Sequence, residues 1–151
     1  MFLRFINPYF QNFCTALYFG NPAARVKVES LKLLELVLET WQGLAGSAEL
    51  FHVEDLGRRL HLELSRAGRS ASSTVLSQLI QTTATLCRLF PAQLADLAET
   101  LFPSFLRELR TKMSSSTEKL DLTLVEGYVI GELTIFWLMF WILTQHFDPD
   151  P

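Results

Sequence analysis

The chain has 151 residues, 49% hydrophobic and 19% charged, with a formal net charge of -3, a composition that excludes wholesale disorder. Thirteen basic residues against sixteen acidic ones leave no field that collects polyanions, which argues against a general nucleic-acid binder. Two cysteines, Cys14 and Cys87, provide no disulfide framework or thiolate metal cage, and 7 Gly with 6 Pro are too few for the turns of an all-β domain.

Residues 1–19 are apolar with Arg4 as their one charge. Asn7-Pro8 interrupts the run, and Tyr18-Phe19 stands where a secretory signal needs small residues for cleavage. The stretch therefore reads as a buried helix beginning near Pro8, whose missing N–H costs nothing at the first helical position. Asn21 is placed to cap a second helix, with Pro22 at its first position, running to about Trp41 on a stripe of Val28, Leu31, Leu34 and Leu38. After a connector at 43–47, Val53, Leu56, Leu60, Leu64 and Ala67 mark one face of a third helix that Gly68 is placed to end. Serines at 70–73 supply caps for a fourth helix, whose stripe runs from Val75 through Leu79, Thr83 and Leu86 to Leu89 before Pro91 stops it. A fifth helical region carries Leu94, Leu97 and Leu101, and Pro103 kinks or splits it before Phe105, Leu106 and Leu109 continue the stripe. Ser115 and Glu118 have the spacing of a capping box, so the last helix is expected from about there to near Leu143.

Paired as hairpins at about 5–41, 48–90 and 92–143, these helices recur every 42 residues or so, within the roughly 40–47 of HEAT and armadillo arrays. The expected fold is an all-α solenoid of about three antiparallel helix pairs over 1–147, with 148–151 as a disordered tail. Residues 26–34 resemble the second helix of a HEAT repeat, in which an apolar and a basic residue precede a small residue and then a leucine. Val26, Lys27, Ser30 and Leu34 occupy those places, and Asn21 stands where the repeat's turn acid or amide lies. The opening Ile6-Asn7-Pro8-Tyr9-Phe10, followed by that helix, is similar to the HEAT scaffold proteins of late pre-ribosome assembly. The resemblance implies a non-enzymatic scaffold in the nucleus or cytoplasm, binding other proteins or further repeats of a longer chain, with ribosome biogenesis as one setting.

Both ends look uncapped. Phe2, Phe5, Tyr9 and Phe13 form one apolar line of the first helix while Phe10 and Leu17 occupy another, more surface than one neighbouring helix covers. Residues 127–143 are apolar nearly all round and close to bilayer-crossing length, with Gly127 and Gly131 in a G-x-x-x-G and no Lys or Arg after Lys119. Two readings stay open: a helix covered by protein, or the anchor of a small tail-anchored membrane protein with a cytosolic helical domain. Glu132 at a bilayer centre would cost about 2.5–3.5 kcal/mol, and the uncharged run after it, 133–143, is short for a span; both weigh toward protein.

No catalytic constellation emerges. His52, His61 and His146 lack partners at a zinc-ligand spacing, the serines occupy turns rather than a nucleophile elbow, and no glycine-rich phosphate loop occurs. Metal, cofactor and enzyme activity are therefore not expected. The candidate partner-binding residues are Phe2, Phe5, Tyr9 and Trp41 as anchors, with Arg59, Arg66 and Arg69 as steering charges. Glu63 lies i,i+4 from Arg59, the ordinary pattern of a solvated ion-pair face.

Overall fold

The computed structural model describes residues 12–43, 46, 52–70, 72–115 and 121–146. They form α1 (12–20), α2 (Ala24–Trp41), α3 (Val53–Ser70), α4 (Ser73–Leu89), a π-helical turn (Leu97–Leu101), α5 (Phe102–Ser115) and α6 (Leu122–His146), with no strand among the described residues. The fold is an all-α helical repeat. The expected helix start at Pro8, the line of Phe2, Phe5 and Tyr9, and the tail at 148–151 lie outside the described residues.

Two layers arise because each amphipathic helix must cover its stripe on more than one neighbour. In one layer α4 lies between α2 and α6 and touches both; in the other, α3 contacts α5 and the π-helical turn. Tyr18 of α1 reaches Glu63 of α3, which places α1 beside the second layer. The stripe expected for α3 is the one that is buried, from Val53 to Ala67.

For α4 the single stripe understates the burial. Flanked on both sides, it also buries Ser77, Gln78, Thr82, Thr85 and Cys87. Its polar side chains meet α2 at Glu35: Gln78 Nε2 and Thr82 Oγ1 donate to Oε2 at 2.6 and 3.2 Å, and Thr85 Oγ1 donates to Oε1 at 2.6 Å. Arg88 extends the ladder to Glu39 at 3.2 Å. Every donor that α4 turns toward this carboxylate is satisfied, as burial demands.

Several helix ends shift from their expected places for identifiable reasons. Asn21 Oδ1 accepts from the Ala23 N–H at 3.1 Å, an Asx-type turn before the helix, and α2 starts at Ala24 with Ala23 as its cap residue. Gly68 does not end α3, which continues to Ser70 while Phe105 of α5 packs 3.6 Å from where a Gly68 Cβ would stand. Ser72 caps α4 by accepting from the Val75 N–H, and the helix stops at Leu89 before Pro91. Ahead of Pro103 the Phe102 N–H reaches back to the Leu97 carbonyl; this five-residue step spares the backbone the α-helical bond that proline cannot donate. Ser115 belongs to α5 and donates to the Lys112 carbonyl. Asp121 opens α6 instead, accepting from the Thr123 N–H at 3.0 Å.

The G-x-x-x-G of α6 faces α4. A Cβ on Gly127 would lie 2.8 Å from the Ser77 Cα, and one on Gly131 would lie 3.0–3.1 Å from Leu106 and Ile80 side-chain atoms. The two glycines thus let the α6 backbone approach α4 closely, a use of small residues that needs no bilayer.

Cys14 and Cys87 are buried free thiols. Desolvation raises both, Cys87 to about 12, so neither supplies a thiolate near neutral pH. Native protein is expected to leave both thiols unmodified by a thiol-exchange dye at pH 8, whereas urea should release two equivalents per chain.

Candidate protein-contact surface

The join of α1, α2 and α3 is built from a polar lock. Lys27, the basic residue of the repeat-like segment, donates from Nζ to the Tyr18 carbonyl at 2.7 Å and stands 4.2 Å above the Tyr18 ring. It satisfies a carbonyl in the last turn of α1 and brings positive charge to the negative end of that helix dipole. Tyr18 Oη donates to Glu63 Oε1 at 2.7 Å, and Arg66 pairs with the same carboxylate. Contrary to the solvated face expected from spacing, Glu63 is buried, and Arg59 pairs with Asp55 instead at 3.2 Å.

Burial pushes the Glu63 carboxyl up, but hydrogen bonds from Arg66 and Tyr18 and the charges of Arg66 and Lys27 outweigh it and hold the group below its ordinary 4.5. Burial and the Glu63 carboxylate raise the Tyr18 phenol in turn. A carboxyl whose folded pKa is depressed contributes stability fully above 4.5 and loses it as pH falls through the lower folded value. Glu35 has the opposite sign: burial raises it despite the donors Thr85 and Thr82. The folded state therefore gains from its protonation as pH falls through the raised value toward 4.5. Thermal melts against pH should show Glu63→Gln flattening the acid loss of stability and Glu35→Gln steepening it.

Of the seven sequence-predicted contact residues, Trp41, Arg59, Arg66 and Arg69 lie in the described helices. Trp41 is half-buried and packs against the core at the end of α2. Arg59 and Arg66 are exposed on α3 but engaged by Asp55 and Glu63; Arg69 lies in the last turn of α3. Phe2, Phe5 and Tyr9 are outside the described residues.

Among the described residues, most of the exposed large apolar side chains lie on α6. Gly127, Gly131 and Leu138 are buried on the side facing α4 and α5, while Leu133, Phe136, Phe140 and Leu143 are 64%, 74%, 64% and 56% exposed. Val129, Leu133, Phe136, Phe140 and Leu143 alternate steps of four and three along the helix, a seam for another helix. Trp137 and Met139 widen it on either side. Glu132, the charge inside the apolar stretch, accepts from Tyr128 Oη one turn earlier at 2.8 Å.

The helix is long and apolar enough to cross a membrane by length and composition. Its inner face, however, covers Ser77, Ile80 and Leu106. Moving α6 into lipid would uncover the side of α4 and α5 that it now seals. Among the described residues no three His, Cys, Asp or Glu could hold a metal ion. The open depression near the start of α3 mixes Glu54, Asp55 and Arg58 with Phe90 and the exposed His52, and presents no nucleophile beside a base.

A family model described as DNA-PKcs, N-terminal, matches residues 5–151. The DNA-dependent protein kinase catalytic subunit of Canis lupus familiaris is 28% identical over 118 residues, and that of Gallus gallus 29% over 118, each match covering 78% of this chain. The Xenopus laevis subunit is 27% identical over 149 residues, 97% of this chain. The chain spans 3% of the length of each of these relatives. No solved structure matches it.

Proposed function

We propose that this chain, which belongs to the DNA-PKcs N-terminal family, is a non-catalytic HEAT-type scaffold segment of a nuclear assembly that holds other proteins at the open edge of its helical layers. The observation that carries the reading is the outward seam of α6, a broad apolar surface on the helix face opposite the one docked on α4. A helix docked on one side and offering its second face at the edge of a layer is what an array of stacked helices presents to its next neighbour. The relatives carry the name DNA-dependent protein kinase catalytic subunit, which is compatible with the nuclear setting proposed here. Arg59, Arg66 and Arg69, with Trp41 and the aromatic residues Phe2, Phe5 and Tyr9, remain the proposed secondary contacts. The pre-ribosome likeness at 6–10 finds no support in these relatives and forms no part of the reading; neither does the membrane anchor.

The test is the size of the particle that carries the tagged chain in salt extracts of nuclei. The parent should migrate above the monomer mass, and the double variant Phe136→Lys, Phe140→Lys should fall to the monomer mass with its helical circular dichroism intact. A parent that is monomeric in the extract, or that leaves membranes only in detergent, overturns the reading.

A further inference from the structure

The seam of α6 fits a second copy of its own chain, and we infer that two copies pair antiparallel through α6 about a twofold axis near Leu138. The inference rests on reading α6 as a protein-contact surface and names the partner. The exposed parts of Leu133, Phe136, Trp137, Met139, Phe140 and Leu143 amount to on the order of 800 Å² of apolar side chain, near the ~800 Å² per partner of a standard interface and above the ~300–600 Å² patch of an ordinary monomer.

Orientation follows from the heptad positions. With Leu133 and Phe140 at one core position and Val129, Phe136 and Leu143 at the other, an antiparallel register that sets each core position against its opposite brings Phe136 onto the partner's Phe140 and Leu133 onto the partner's Leu143. Both contacts recur across the twofold, as an isologous interface requires. Trp137 and Met139 then flank the axis, each next to its own symmetry mate. Leu138, between them in sequence, is buried and faces away from the seam.

Charge selects the same orientation. α6 carries Glu126 and Glu132 in its N-terminal half and no Lys or Arg. A parallel pair would bring the two Glu126 side chains face to face at a core position. In the antiparallel pair the Glu132 residues of the two copies are separated by ~18 Å along the axis and the Glu126 residues by ~36 Å, at 1.5 Å per residue, beyond the ~8 Å screening length at physiological salt.

Light scattering and site-specific cross-linking of the purified full chain test this. The parent at tens of micromolar should have twice the 17.2 kDa chain mass, and Phe136→Lys with Phe140→Lys should halve the measured mass at unchanged helical signal. Mild oxidation should link Met139→Cys to its mate as a dimer and leave Val129→Cys unlinked, since the native cysteines are buried. Efficient linking through Val129→Cys means a parallel pair and overturns the orientation. A helical parent that stays monomeric overturns the dimer while the scaffold reading stands, its partner then being another protein. A parent that is helical only in detergent overturns both.

Discussion

Gly127→Val is expected to destabilise the chain by about 3 kcal/mol, the upper end of what overpacking costs, and so to lower its melting temperature by about 6–12 °C. The Cβ would run into Ser77 Oγ and stand 2.8 Å from the Ser77 Cα. The hydroxyl can turn away, but the α4 backbone cannot move without disturbing its packing on α2. Gly131→Ala is the internal control. Its Cβ meets only side-chain atoms of Leu106 and Ile80 at 3.0–3.1 Å, and replacing a helical glycine returns about 1 kcal/mol of helix propensity. Its melt should stay within a few degrees of the parent. Equal effects at the two glycines would mean that α6 does not lie against α4 as described.

The second large effect separates the two faces of one helix. Leu138 is 2% exposed and Phe136 is 74% exposed. Leu138→Asp puts a carboxylate with no partner into the α6 contact and should cost about 4 kcal/mol or more, a large part of the stability of a domain this size. At concentrations too low for copies to pair, Phe136→Asp should change the stability of the single chain by no more than about 0.5 kcal/mol, the usual range for exposed positions; where copies pair it also loses the stability that pairing adds. Circular dichroism melts of the two variants check this. In lipid the contrast would vanish, because an aspartate at either position would cost about 2.5–3.5 kcal/mol near the centre of a span.

Where one side of a helix alone is apolar, its buried face was legible in the sequence. The stripe of α3 from Val53 to Ala67 shows this. Pattern failed where a helix is covered on two sides or holds a polar partner inside. The threonines of α4 are indistinguishable in sequence from solvated ones until Glu35 is set opposite them. Glu63 has the spacing of a surface ion pair, yet Tyr18, 45 residues away, draws it inward. Such pairings depend on tertiary proximity that no local window contains. In α6 the four-three seam is present in the sequence, but apolar residues on every side hide it, and only the glycines against α4 reveal which face is left open. The capping box at Ser115 had the right spacing and the wrong place, because α5 runs on through Ser115 and Asp121 opens the next helix.

The central claim is that α6 is covered by protein on one side and offers the other side to protein. The most direct measurement is fractionation of the expressed full chain under high-salt and alkaline carbonate washes, beside Phe136→Asp and Leu138→Asp. The account predicts a parent that is soluble or released by salt, a folded Phe136→Asp variant in the same fraction, and a Leu138→Asp variant that unfolds. A parent that remains in the membrane pellet through carbonate and needs detergent for release would contradict it, and would make α6 a membrane anchor.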